Sequence, residues 1–349
     1  MIRRKRHILI LLVSGALMIM CYFGTLKWGS GVKANDNIYM IELEGQTVDL
    51  ETAIRMSQEN EVLEDPVAYA LWTQKNNQYL SEPQYGRKSN VDVLEVFGNS
   101  GYVFPGDVFI DADDAAGCLI DAQTAYDLFG KTSAVGQTIE YDGRELIIRG
   151  LLENMEHTMV VQAGKVADKE KEGVVFDRAS ICRSSASEKS EDDRFANIFG
   201  LQGKKIEVRF FTGWIHFFIR LLPLCIALTC VLWGVKKLWK IRRMPVKCAV
   251  YTIAVILAVC LFIRIFGFQW TIPQEMIPGR WSDFDFWKQF FDERIEFYRQ
   301  FFEGEKVKPM LYYTHPLMQC IKFALLSVFL FFLFIHQLFS AAKTKAASR

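Results

Sequence analysis

The sequence predicts an α+β extracytoplasmic domain on a four-helix transmembrane region. Three observations lead there. Four apolar runs have membrane-spanning length, no acidic residue falls in those runs or their basic flanks, and the acidic stretch between the first two runs alternates strand and helix signals. Of the 349 residues, 51% are apolar yet 23% are charged, which suits neither a uniform membrane bundle nor an ordinary soluble protein. The balance of 41 Lys+Arg against 40 Asp+Glu argues against a basic nucleic-acid-binding protein, and the apolar content argues against a disordered polyelectrolyte.

The runs are Ile8 to Leu26, Trp214 to Val235, Cys248 to Phe266 and Leu317 to Phe339. A hydrocarbon core roughly 30 Å thick takes about 20 helical residues, because an unpaired backbone amide is too costly in lipid. Arg220, Arg264 and Lys322 lie near the ends of their runs. Their long stems can carry the charge to the headgroups.

Orientation follows from the flanks. Arg3, Arg4, Lys5 and Arg6 precede the first run; Lys236, Lys237, Lys240, Arg242, Arg243 and Lys247 lie between the second and third; Lys343, Lys345 and Arg349 follow the fourth. Alternate threading puts all of them on one side, and the positive-inside rule makes that side cytoplasmic. The predicted organisation is a basic start and first helix (1–27), an extracytoplasmic domain (28–213), a second helix (214–235), a basic cytoplasmic linker (236–247), a third helix (248–266), an outer loop (267–316), and a fourth helix with a cytoplasmic tail (317–349). Trp28, Trp214 and Trp270 fall at outer helix ends and Trp233 and Trp239 at the inner end, where indoles prefer to sit. The first run lacks a convincing small-x-small cleavage site, so it is expected to stay as a signal anchor in a multi-pass plasma-membrane protein.

Within 28–213, Ile38 to Leu43 reads as a strand and Asp49 to Glu61 as a helix after a turn at Gly45. Val91 to Phe97 alternates as a strand does, and Ala122 to Phe129 suits a helix stopped by Gly130. Thr138 to Tyr141 and Glu145 to Gly150 flank Asp142-Gly143, a strong signal for a type I′ hairpin because both central residues need positive φ. Val166 to Asp193, rich in Lys, Glu and Ser, predicts an exposed connection on either side of a short strand at Val174 to Phe176.

The stretch from Cys118 through Asp121-Ala-Gln-Thr-Ala-Tyr-Asp-Leu-Phe-Gly130 to Ala134-Val-Gly-Gln-Thr-Ile-Glu-Tyr-Asp-Gly-Arg-Glu-Leu-Ile-Ile-Arg-Gly150 resembles the MacB-like periplasmic core domain of ABC transporter permeases of the MacB and FtsX type. Phe104-Pro-Gly-Asp-Val-Phe109 suits the family's preceding segment, and the resemblance covers roughly residues 90 to 155. It implies a two-lobed domain inserted between a first helix and later ones. It also implies a non-enzymatic subunit that dimerises or pairs with another permease and passes the motion of a separate cytoplasmic ATPase across the bilayer. The family's ATPase-docking segment carries Arg, Glu and Gly. Here Lys236, Lys237, Trp239, Lys240, Ile241, Arg242 and Arg243 occupy that place with neither acid nor glycine. They are the candidate ATPase contact, and equally a patch that meets anionic lipid.

The outer loop adds apolar residues at Phe284, Trp287, Phe291, Ile295, Tyr298 and Phe302, opposite Lys288, Asp292, Glu296 and Arg299, which predicts an amphipathic helix. His315-Pro316 is expected to start the last helix.

Other signals fail on inspection. Phe129-Gly-Lys-Thr-Ser133 imitates a phosphate loop but follows a helix, and Ala125 stands where that motif needs Gly. Asp107, Asp111, Asp113 and Asp114 lack the Gly and distal Glu of a calcium loop. The five histidines show no ligand spacing and no nucleophile-base pair, so no metal, cofactor or catalytic residue is assigned. Cys118 and Cys182 are the two cysteines of the outward domain, and a disulfide between them stays open at this point. Two functions remain: a permease-like subunit coupled to an ATPase, or an anchored binding or scaffold protein that keeps the fold without coupling.

Overall fold

The computed structural model describes residues 2–32, 35–43, 45–84, 86–163, 173–183, 190–241 and 307–347, with scattered helical positions between 249 and 264 and between 285 and 295. In chain order the elements begin with α1 (Ile2–Ser30), β1 (Ile38–Glu42), β2 (Val48–Asp49), α2 (Leu50–Glu61), β3 (Ala68–Ser81) and β4 (Lys88–Gly98). Then come β5 (Gly117–Asp121), α3 (Ala122–Phe129), β6 (Thr138–Tyr141), β7 (Arg144–Leu152) and β8 (Thr158–Gln162). The chain continues through β9 (Val175–Phe176), β10 (Arg178–Cys182), α4 (Ser190–Phe199), β11 (Lys204–Glu207), α5 (Val208–Ile241) and α6 (Lys308–Ala347).

The described residues fall into two compact units. One holds residues 1–23, 217–306 and 323–349, and with them most of the apolar length of α1, α5 and α6. Their surface is dominated by exposed side chains such as Leu12, Met20, Leu228, Leu232, Phe329 and Phe332, as a helix solvated by lipid requires. Phe334 packs on Gly15, where even a methyl group would touch its ring. Among the described residues, three helical stretches are long and apolar enough to cross a membrane: Leu9–Ser30, Val208–Lys237 and Lys308–Phe339. The run Cys248 to Phe266 lies largely outside the described residues, as do most of the predicted amphipathic helix and Arg242 to Lys247.

The second unit, 24–216 with 307–322, is built on a nine-stranded mixed sheet of order β11-β1-β10-β3-β4-β8-β5-β7-β6. It forms two lobes. In lobe one, α2 and α4 cover β1, β10 and the first half of β3, burying Tyr39, Ile41, Met56, Tyr69, Leu71, Phe176, Ile181 and Phe195 in one core. In lobe two, α3 packs on strands β4 to β8, burying Leu80, Val91, Val93, Cys118, Ile120, Leu128, Ile139, Ile148 and Val161 in another. The lobe-two strands close on β3 through the single pair Ser81–Glu140.

Local chemistry explains the elements. Asp49 caps α2 by accepting from the Thr52 N–H at 2.8 Å. Asp121 caps α3, and Gly130 ends it at φ +69°, a left-handed position that suits glycine. Asp142 and Gly143 both have positive φ, 51° and 71°, as the type I′ hairpin between β6 and β7 demands.

Two expectations need correction. Residues 178–182 are not an exposed connection. They form β10, paired with β1 on one side and β3 on the other, with Ala179, Ser180 and Ile181 buried. The Lys and Glu that disguised it lie in the flanking sequence and none is in the strand, whose one charge, Arg178, lies over the Trp72 ring and pairs with Glu42 and Asp177. The last helix does not start at Pro316 but at Lys308, with Pro316 inside it. A proline within a helix forfeits one backbone hydrogen bond, and neighbouring elements make that tolerable.

Candidate functional site

The domain and the helices meet at a junction lying wholly in the second unit. The ends of α1, α5 and α6 converge there. Cys320 of α6 is fully buried, with its sulfur 3.8 Å from the Thr25 carbonyl of α1 and 4.0 Å from the Ile215 carbonyl of α5. Phe211 of α5 stacks on Tyr313 of α6 at 5.7 Å, and Trp28 of α1 meets His315 of α6 edge-on at 5.4 Å.

Each end is bonded to the domain. Thr212 Oγ1 of α5 donates to Asp36 Oδ1 at 2.7 Å, just before β1. At the end of α1, the Gly31 carbonyl accepts from Asn154 Nδ2 at 3.0 Å. At the start of α6, Lys308 donates its backbone N–H to Gln74 Oε1 of β3 at 2.7 Å. Its ammonium reaches the Glu156 carbonyl at 2.8 Å and Asp92 Oδ2 of β4 at 3.2 Å. Tyr312 donates to the Pro105 carbonyl at 3.3 Å.

The turn between β7 and β8 thus holds two helices. It carries Asn154 and Glu156, and both Asn154 (φ 57°) and His157 (φ 47°) take left-handed backbone. Its far end is anchored: Thr158 donates its N–H to Asp121 Oδ2 at 2.6 Å. Glu207, the last residue before α5, lies 3.1 Å from an Arg183 nitrogen and 3.4 Å from Lys205 Nζ. Burial by itself raises the carboxyl pKa, and these two cations overcome that, so it is held below its ordinary value.

A small cleft beside Tyr312 is lined by Phe104, Pro105, Val108 and Leu152. Val108 occupies the space a side chain at Gly150 would need, since an added Cβ would lie 2.1 Å from it. The glycine inside β7 is therefore a packing requirement for the Phe104 to Phe109 loop.

Of the residues singled out from sequence, Lys236, Lys237, Trp239, Lys240 and Ile241 form the end of α5, with Trp239 exposed and Lys237 Nζ 4.8 Å from the Trp233 ring. Arg242 and Arg243 lie outside the described residues. Cys118 and Cys182 are not bridged. Cys118 is buried in the lobe-two core and Cys182 lies at the end of β10 in lobe one. Asp114 forms a two-point pair with Arg149 at 2.7 and 3.2 Å. The junction residues Gln74, Asp92, Asn154, Glu156 and Lys308 were not picked out from sequence. One signal was present, a proline in the first turn of α6, a position that favours helix starts.

No protein-family model and no curated protein matches the sequence. Solved structures similar to this chain include the periplasmic region of MacB from Actinobacillus actinomycetemcomitans, at 11% identity and a TM-score of 0.38 over 51% of this chain and 91% of that one. They also include the extracellular domain of the noncanonic ABC-type transporter YknZ from Gram-positive bacteria, at 16% identity and a TM-score of 0.33 over 49% of this chain and 98% of that one.

Proposed function

We propose that this protein is a non-enzymatic, multi-pass permease-like subunit of the ABC-transporter kind. A separate cytoplasmic ATPase moves its helices, and the helices move an extracytoplasmic α+β domain. The junction carries the reading. A binding module needs only a tether, whereas here α1, α5 and α6 each make direct hydrogen bonds to the domain at Asn154, Asp36, Gln74 and Asp92. Displacement of a helix end is then felt by the sheet. In this reading both termini and the 236–247 linker are cytoplasmic, and the protein works as a homodimer or beside a paired permease.

The test is at the linker. Replacing Trp239 and Ile241 by Ala keeps all its charges, so topology survives, and co-purification of an ATPase is expected to fall. An ATPase that stays bound leaves the linker as a topology and lipid-contact signal. Failure of the wild-type protein to bring down any ATPase supports the second reading, a membrane-anchored scaffold. That reading is favoured by the acid-free, glycine-free linker.

A further inference from the structure

The two lobes share β3 and β4, and the register between these strands slips between Lys75 and Gln78. On one side of the slip, Tyr69, Leu71 and Phe97 belong to the lobe-one core; on the other, Leu80 and Val91 belong to lobe two, and Val93, paired with Lys75 at the edge of the slip, is the first lobe-two core residue. Such an irregularity bends a strand and interrupts its ladder. Polar groups fill it. Gln74 Nε2 donates to Asn76 Oδ1 at 2.6 Å, Gln78 Nε2 to the Asn76 carbonyl at 2.9 Å, and Asn77 takes φ 57°.

Lys308 sits on this point. Asp92 accepts the Asn77 N–H at 3.0 Å with one oxygen and faces the Lys308 ammonium with the other, while Gln74 caps the Lys308 N–H. A cation in the first turn of a helix opposes the helix dipole, and the Lys308 side chain is only 15% exposed. Helix propensity does not explain the residue there; the carboxylate of Asp92 does.

We propose that the bulge at Asn76-Asn77 is the hinge between the lobes and that Lys308, bonded to both flanks of it, is the latch. With the pair to Asp92 made, the lobes hold one angle. A shift of α6 that parts Lys308 from Asp92 and Gln74 frees the bulge and lets lobe two swing about β3 and β4. The latch needs no ATPase, so failure of the linker experiment leaves it standing.

The experiment uses the full chain in nanodiscs, with fluorophores introduced through unnatural amino acids at Glu51 in lobe one and Lys131 in lobe two. Lys308→Met and Asp92→Asn are each expected to broaden the distribution of lobe-to-lobe distances relative to the parent. Distributions of unchanged width overturn the proposal. Hydrogen exchange on the unsubstituted protein tests the hinge even if both variants misfold: the Asn77 amide is expected to exchange about tenfold or more faster than those of Leu71 and Leu80. Equal protection at the three sites overturns it as well.

Discussion

Thr158 donates its backbone N–H to Asp121 Oδ2 at 2.6 Å, tying the start of β8 to the cap of α3. The same carboxylate accepts from the Gln123 and Thr124 amides and the Thr124 hydroxyl, and Asp121 is fully buried. Asp121→Ala removes the cap and leaves the Thr158 N–H buried without a partner. The expected cost is about 3 kcal/mol, from about 1 for the cap and 1–3 for the orphaned donor. A thermal-unfolding midpoint within a degree of the parent's would refute this.

The hairpin between β6 and β7 gives a second prediction. Gly143 sits at φ 71° with no side-chain neighbour near, so backbone strain alone governs a substitution. Gly143→Val is expected to cost about 1 kcal/mol or more, and Gly143→Asn, which tolerates positive φ, less. Equal denaturation midpoints for the two variants would count against the turn.

Burial pushes the Cys118 thiol up to about 12, from the ordinary 9.0. The folded state therefore keeps a proton that the unfolded state gives up, so the contribution of this group to stability falls as pH rises above about 9 and levels off near 12. Each unit in that window costs about 1.4 kcal/mol for this one group. Cys118→Ala is expected to flatten the alkaline decline, measured against its own midpoint at pH 7. The buried thiol also resists maleimide in the native protein, and a Cys118 that labels as fast as a surface thiol would contradict its place in the core.

Topology supplies the fourth. Cysteines introduced at Lys189 and Arg299 are expected to label from outside intact cells, and one at Lys343 only after permeabilisation. Outside labelling at Lys343 reverses the orientation drawn from the basic flanks.

Legibility in the sequence followed the range of the signal. The Asp142-Gly143 hairpin, the α3 stop at Gly130 and the strand from Ile38 are written in adjacent residues, and they are where the sequence puts them. β3 was not read, because Lys75 to Gln78 break its alternation where the register slips. The apolar runs marked how much of each helix lipid can surround rather than how long the helix is. α6 begins nine residues before its run, at Lys308 against Leu317, because that segment is solvated by Gln74, Asp92 and Pro105 of the domain. The junction pairs residues far apart in the chain, and spacing alone carries no trace of it.

The strand order also sets a timetable for synthesis. β1 lies between β10 and β11, so the first strand to emerge pairs only with the last two. Lobe two is nearly contiguous and needs nothing beyond Gln162 to complete its ladder. At about 5–20 residues per second, β1 waits on the order of ten seconds for residues 178–207. During that interval the buried faces of Tyr39 and Ile41 are uncovered. Lobe one should therefore form after lobe two, and a chain truncated before Arg178 should expose an unpaired, aggregation-prone strand beside a finished half-domain.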